Sequence, residues 1–291
     1  MRIVVLGNEG SWYVADLQRA ARERGHVCER IDYGALVAEA STARNTVLSG
    51  DEDLAAWDAV VIRTMPPGSL EQVVFRMDAL HRLHESGVQV LNSPRAIECA
   101  VDKYLTTARL ARDGLPVPAT IACEGFDQAM AAFERLGGDV VVKPLFGAEG
   151  RGIVRVSDPD IAHRVFRTLE RIGAVLYLQQ FIRHPGWDLR LLLLDGRPLG
   201  AIRRSNPTDF RTNISREGHA EVHTPDDREV EYAIRAAEST QTRFAGVDLL
   251  YGPDGTLYVI EVNAVPGWRG FQKATGLDVA ERVVSSIESS S

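Results

Sequence analysis

The apolar pattern of this chain changes character about a third of the way along, and few architectures accommodate the change. Residues 3–6 are a short β-branched run closed by Gly7, followed by helical periodicity through Val14, Leu17, Ala20 and Ala21 that ends at Gly25. Val27 to Ile31, Ala59 to Ile62 and Val88 to Leu91 read as further strands, with a helix from Leu70 to His84. Strands alternating with helices predict a parallel α/β unit with helices on both faces. Asn92-Ser93-Pro94 punctuates its end, and Ala96 to Asp113 reads as one helix stopped by Gly114, Pro116 and Pro118. Beyond that point the strands come in hairpins. Val140–Lys143 and Gly152–Val156 flank a glycine-rich loop, Leu176–Ile182 is another strand, and Leu189–Leu194 turns at Asp195-Gly196 into Gly200–Arg203. The carboxy-terminal two thirds should therefore be α+β with antiparallel sheets, and the last serine-rich residues a frayed tail.

Net charge narrows the function classes. With 33 Lys and Arg against 40 Asp and Glu, the chain carries a formal charge of -7. This argues against a general nucleic-acid or membrane-surface binder, because both need a basic footprint. Cys28, Cys99 and Cys123 are scattered and lack metal spacing, so they read as thiols in a reducing compartment. No apolar run approaches the ~20 residues of a membrane span. The opening Met1–Gly7 segment is strand-like rather than a signal peptide, so a cytoplasmic location is expected.

The residues with the clearest chemistry lie near the carboxyl end. Gly246–Tyr251 and Leu257–Asn263 are strand runs joined by Pro253-Asp254-Gly255-Thr256. If Gly252 faces Leu257, Asp248 falls opposite Glu261, and Asn263 shares the Glu261 face. Opposed carboxylates repel unless a cation sits between them, and hard oxygen ligands without His or Cys suit magnesium. The alternative, two solvated acids on an open sheet face, fits poorly with Val259, Ile260 and Val262 beside them.

Phe146–Gly152 contains Gly147, Gly150 and Gly152 around Glu149. Its amides can close over phosphates, but no GK[ST] follows, so it is a flap between strands rather than a Walker loop. Lys143 ends a hydrophobic strand, a poor place for an ammonium unless an anion meets it. Lys103, taken singly, is an ordinary exposed helical lysine. Arg190, Arg203, Arg204 and Arg211 are basic residues matched to phosphate or carboxylate, or else to surface acids. His81, His84, His163, His184, His219 and His223 show no zinc spacing and read as structural or surface residues. Gly7–Ser11 lacks the GxGxxG fingerprint, which removes a dinucleotide-binding oxidoreductase from contention.

Taken in order, Asn92-Ser93-Pro94, Asp102-Lys103-Tyr104, Val142-Lys143-Pro144, the Gly147–Gly152 loop, Gln179–Ile182, Asp188-Leu189-Arg190, Arg211-Thr212-Asn213, Gly246–Asp248, Glu261–Asn263 and Pro266-Gly267 resemble the ATP-grasp superfamily, and within it the RimK-type α-L-glutamate ligases. The resemblance covers roughly residues 90–285. It implies a preATP-grasp α/β domain over 1–94, then an ATP-grasp fold with two antiparallel-sheet subdomains, 95–180 carrying the flap and 181–291 carrying the metal site. By the same resemblance Lys103, Lys143 and the loop residues Gly147, Glu149, Gly150 and Gly152 hold ATP phosphates. Gln180, Phe181 and Ile182 line the adenine pocket, largely through backbone groups, and Asp188 sits near the ribose. Arg211, Thr212 and Asn213 lie at the γ-phosphate with Arg203, where Arg203, Arg211 and Asn213 serve the chemistry. Asp248, Glu261 and Asn263 bind magnesium, with manganese as a substitute. Gln180 departs from the Glu of many relatives, although an amide can still bond to the nucleotide. The implied reaction makes an amide through an acyl phosphate, joining a small-molecule carboxylate to an amine, expected to be L-glutamate, in a homo-oligomer. Arg63–Gln72 is similar to ligases that act on pterin or related one-carbon cofactors. The alternatives are ligation of a different amine and a nucleotide-binding regulator without ligase activity.

Overall fold

The computed structural model describes residues 1–147, 152–206, 209–211 and 219–290. Strands β1 (Arg2–Leu6), β2 (Val27–Ile31), β6 (Ala59–Ile62) and β7 (Gln89–Leu91) form a parallel sheet in the order β2-β1-β6-β7. The alternation of β1 explains why it is apolar throughout. Ile3 and Val5 face α1 (Trp12–Glu23) and α9 (Val279–Ser289), while Val4 and Leu6 face α2 (Leu70–Glu85). The carboxyl terminus thus covers one face of the first sheet. Val283, Val284 and Ile287 are buried there, so the expected frayed tail is instead a packed helix capped by Asp278. A small antiparallel sheet that the sequence reading missed, β3 (Leu36–Ala40), β4 (Asn45–Ser49) and β5 (Glu52–Asp53), follows β2.

The helix expected over Ala96–Asp113 is two helices, α3 (Pro94–Val101) and α4 (Lys103–Arg112). Asp102 leaves the helical conformation at φ -90 and ψ 103, and its carboxylate accepts from the Leu105 amide at 2.9 Å as the cap of α4. The break makes Lys103 the first residue of α4 rather than a mid-helix surface residue.

A second sheet has the order β10-β9-β11-β8, from β8 (Thr120–Cys123), β9 (Val140–Lys143), β10 (Val154–Val156) and β11 (Leu176–Gln180). Val140, Val142, Leu176 and Leu178 face α5 (Phe126–Arg135) and α6 (Pro159–Arg171) in a separate apolar core. The intervening residues, Val141, Lys143, Tyr177 and Gln179, turn to the other side.

The third sheet, β14-β13-β12-β15-β16, is antiparallel: β12 (Trp187–Leu194), β13 (Arg197–Ser205), β14 (His219–His223), β15 (Phe244–Tyr251) and β16 (Leu257–Asn263). One face packs on α7 (Asp227–Thr240) through Leu189, Leu191, Val247, Leu249 and Val259. On the other, Leu192, Leu194 and Ile202 join the core of the first sheet, together with Trp268, the residue before α8 (Arg269–Thr275), and Phe271 within it. Asn92 fastens these bodies. Its Nδ2 donates to Phe244 O (2.7 Å) and Ala264 O (2.6 Å), and its Oδ1 accepts from the amides of Arg243 and Phe244, both at 2.9 Å.

Two β-bulges interrupt the third sheet. The hairpin begins with Leu194 opposite Arg197, a register that would set Asp188 opposite Arg203. An extra residue between Leu192 and Leu193's partners moves Arg204 there instead. Gly200, at φ +148, supplies the left-handed backbone beside this irregularity. Similarly, Tyr251 faces Leu257, one residue from the expected register, and a bulge at Ile260 restores the pairing of Asp248 with Glu261.

Candidate active site

A cleft lies between the second and third sheets, enclosing about 1100 Å³ when its open solvent is counted. Lys143, Tyr177 and Gln179 line one wall and Asp188, Asp248, Leu250, Ile260 and Glu261 the other, with Lys103 and Gly147 at the side. A bulge places consecutive residues on one side of a strand, which is why Ile260 and Glu261 both face the cleft while Val259 and Val262 stay in the core.

The cationic wall is held by neutral polar groups. Lys143 Nζ donates to Gln179 Oε1 at 2.6 Å, and Gln179 Nε2 donates to Thr120 Oγ1 and the Tyr177 hydroxyl at 3.0 and 3.2 Å. Burial pushes the Lys143 ammonium down to about 8, with Glu261 opposing and Lys103 reinforcing the shift. Burial lowers Lys103 as well, and its Nζ donates to Gly147 O at 2.7 Å. Neither lysine forms an ion pair among the described residues. The chain has only three lysines, Lys103, Lys143 and Lys273, among its 33 Lys and Arg residues, a bias that singles out both cleft lysines.

The acidic wall contains a buried four-residue network. Arg190 Nε and Nη2 donate to Asp248 Oδ1 and Oδ2, both at 2.7 Å, and Arg204 Nε donates to Asp188 Oδ1 at 2.8 Å. Arg204 Nη2 also lies 3.0 Å from Asp248 Oδ2. Burial raises the Asp248 pKa, but Arg190 and Arg204 outweigh it and hold the carboxyl below its usual range. Both guanidinium groups and both carboxylates come from directly paired strand positions, Asp188 with Arg204 and Arg190 with Asp248.

Arg203 is not part of this wall. It points to the opposite face, where Nη2 donates to Glu221 at 2.8 Å and the guanidinium lies 5.7 Å from the Trp187 ring. The bulge in β13 is the reason: it gives Arg204 the place that unbroken pairing would give Arg203. Arg204 is thus the arginine missed as a site residue, because regular pairing from the Asp195-Gly196 turn sets Arg203 opposite Asp188 and only the bulge replaces it. Asn263 also falls outside the cleft lining, with Nδ2 donating to Gly246 O at 3.3 Å. Two of the three expected oxygen ligands, Asp248 and Glu261, are on the wall.

Arg211 lines the cleft and its Nε bonds to Asp209 at 3.0 Å. Gln180, Phe181 and Ile182 line it too, but the Gln180 and Phe181 amides donate to Ala119 O (2.8 Å) and Asp139 O (3.0 Å). The Arg155 guanidinium lies 3.7 Å from the Phe181 ring and supports it. His184, read from sequence as structural, lines the cleft and is lowered by burial. Its position two residues beyond Ile182 was the clue. Gly152 is described but does not line the cleft. Glu149, Gly150, Thr212 and Asn213 lie outside the described residues.

The donor set fits magnesium and a triphosphate. Asp248 and Glu261 offer hard oxygens, Asp248 with lone pairs beyond those the guanidinium groups use, and the facing lysines offer charge to phosphate. Among the described residues no three His, Cys, Asp or Glu side chains gather around a metal position, in the cleft or outside it, and no helix is long and apolar enough to cross a membrane.

Comparison with known proteins accounts for nearly the whole chain. Residues 1–97 match the RimK PreATP-grasp domain and residues 100–287 the RimK-like ATP-grasp domain. The chain is 31% identical to the tetrahydromethanopterin:alpha-L-glutamate ligase of Methanosarcina acetivorans, over 98% of each chain. It is 32% identical to the ribosomal protein bS6--L-glutamate ligase of Escherichia coli, over 99% of this chain and 96% of that one. Among solved structures, the ATP-grasp ligase PsnB complexed with minimal precursor, Mg and ADP has a TM-score of 0.77 at 24% identity, covering 99% of this chain and 96% of that one. D-cycloserine synthetase DcsG has a TM-score of 0.74 at 20% identity, covering 100% and 99%. At these identities the two structures speak to fold alone.

Proposed function

The chain belongs to the RimK-like ATP-grasp family and is an ATP-dependent carboxylate–amine ligase, and from that premise we propose that it adds L-glutamate to a carboxylate of a small-molecule cofactor or metabolite through an acyl phosphate. The observation that carries the reading is the opposition of Lys103 and Lys143 to Asp248 and Glu261 across one cleft. Relatives named for glutamate ligation support the choice of amine.

Lys103 and Lys143 bind phosphate oxygens, which restores to Lys143 the charge that burial disfavours. Gln180, Phe181 and Ile182 receive the adenine, and the flap residues Gly147, Glu149, Gly150 and Gly152 close over the phosphates. Asp248 and Glu261 would hold magnesium, with Asn263, which here donates to Gly246 O, as the third candidate ligand. When bound, that ion neutralises phosphate charge and polarises the transferred group. Arg204 and Arg190 fix Asp248, so the ligand carboxylate does not have to be ordered when metal arrives. Arg211, Thr212 and Asn213 stand at the γ-phosphate.

The acid substrate's carboxylate oxygen attacks the γ-phosphorus and ADP departs. The amine then attacks the carbonyl carbon, forms the C–N bond, loses a proton and displaces inorganic phosphate. The protein's part is positioning, charge stabilisation and exclusion of water. No protein nucleophile is required.

The test is incubation of purified protein with ATP, magnesium, L-glutamate and a panel of carboxylic acids, following ADP and product mass. A product heavier by one glutamyl unit, dependent on both acid and amine, is expected. Asp248→Ala with Glu261→Ala should abolish magnesium-dependent ADP release. Wild-type ADP release that needs no amine, or full activity in the double variant, would overturn the assignment.

A further inference from the structure

Arg63 is the first residue beyond β6, at the carboxyl end of the parallel sheet. In the order β2-β1-β6-β7 the chain winds outward in both directions from the β1/β6 boundary, the position where open α/β sheets form a crevice beyond their strands. Only 6% of Arg63 is exposed, yet no carboxylate pairs with it among the described residues. Its Nη2 donates to Pro266 O at 2.9 Å, and its Nε is buried without a partner. The rings of Tyr13 and Trp268 lie 4.8 and 4.3 Å from the guanidinium. Ring contacts offset part of the cost of desolvating a cation, but a buried charge without a counterion remains unfavourable. Burial accordingly lowers Arg63 to about 10.

The surroundings suit an anion. Tyr13 lies in the first turn of α1, whose Ser11 cap makes no side-chain hydrogen bond. The nearest acid on that helix, Asp16, is occupied by Arg19 and by Trp268 Nε1 at 2.9 Å. Gly267 brings the loop onto this helix: a Cβ there would meet the Tyr13 hydroxyl at 2.7 Å. Pro266 joins Arg63 to the metal end of the cleft. A Cβ at Gly246 would lie 2.9 Å from Pro266 Cβ and 3.8 Å from Arg190 Nε, the guanidinium that grips Asp248. Arg63 is therefore linked to the acidic wall through Pro266 and Gly246.

We propose that Arg63, between α1 and the Pro266–Trp268 loop, anchors the non-reacting α-carboxylate of the amino acid that supplies the amine. The inference rests on the ligase reading above and adds the place of its second substrate. A guanidinium fork matches a carboxylate, and an anchor there leaves the amino group directed toward Arg190 and Asp248, where the acyl phosphate forms.

The experiment compares L-glutamate with L-isoglutamine, in which the α-carboxylate is an amide, in wild-type protein, and then wild type with Arg63→Met and Arg63→Lys. Tryptophan emission, sensitive to Trp12 and Trp268, and steady-state kinetics are both read. Glutamate should change the emission and isoglutamine should not. Arg63→Met should raise the KM for glutamate by about tenfold or more with the KM for ATP unchanged, the scale of a lost charge-assisted bond. Arg63→Lys should recover part of the loss. Equal use of isoglutamine by wild type overturns the anchor without any variant, as does an unchanged glutamate KM in Arg63→Met or a parallel rise in both KM values. If wild type makes no glutamyl product, the function reading fails separately. Emission is then titrated with the other L-α-amino acids and their α-amides. An acid-selective response lost in Arg63→Met upholds the anchor, and no response overturns it.

Discussion

Replacing Arg204 by methionine should damage the protein far more than the same change at Arg203, its neighbour in sequence. Arg204 is buried and bonds Asp188 in a fork while approaching Asp248 at 3.0 Å. Removing it strands the buried Asp188 carboxylate, a loss of about 3–5 kcal/mol for a broken buried pair. At roughly 2 °C per kcal/mol for a chain of this size, the melting temperature should fall by about 6–10 °C. Arg203 and Glu221 are 44% and 60% exposed, so Arg203→Met should cost ~0–1 kcal/mol and move the melt by about 2 °C or less. Scanning calorimetry and coupled ADP release would be measured on both variants. In Arg204→Met, activity should fall even where the protein remains folded, because Asp248 loses one of its two guanidinium partners. Adding Asp188→Leu should recover stability by removing the stranded charge, without recovering activity. An Arg203→Met variant as impaired as Arg204→Met would refute the bulge-shifted register as the basis of the acidic wall.

Three further outcomes can be measured. Asn92→Ala removes four side-chain hydrogen bonds and should destabilise by about 4 kcal/mol at ~1 kcal/mol each, read by urea unfolding. The Lys143 pKa, lowered to about 8 from 10.5, makes the unfolded chain bind more protons between those values, so this group's contribution to stability rises with pH across that window. Phosphate favours the ammonium, so affinity for a non-hydrolysable ATP analogue should fall as pH climbs above 8, and calorimetry in buffers of different ionisation enthalpy should show proton uptake on binding. Lys143→Met should lose that uptake and bind the analogue more weakly.

The strands that were easiest to read are those whose residues are buried on both sides or alternate cleanly. Val27–Ile31, Ala59–Ile62, Val140–Lys143 and Leu257–Asn263 have the expected bounds. Strands β3 to β5 were missed because Leu36–Ser49 mixes exposed and buried positions without a long apolar run. The helix break at Asp102 was hidden because the same residue type serves inside a weak helix or as a cap. The cleft residues were legible wherever chemistry was unusual, as with Lys143 at the end of an apolar strand. They became illegible where a single inserted residue altered the facing. Leu199 and Ile260 carry no mark that distinguishes a bulge from a regular strand, yet one decides between Arg203 and Arg204 and the other sets Glu261 against Asp248.

The Asn92 knot bears on how the molecule can admit a nucleotide and shut around it. Four bonds and a shared apolar core weld the first and third sheets into one block, and the Arg19–Asp278 and Arg24–Glu281 pairs fasten α1 to α9 within it. The second sheet keeps its own oily interior with α5 and α6. Swinging that leaf would spare every one of those welds, whereas prising the amino-terminal sheet away would rupture them together. The residues around Arg63, Tyr13, Pro266 and Trp268, belong wholly to that block, so a movement of the second sheet would leave them in place.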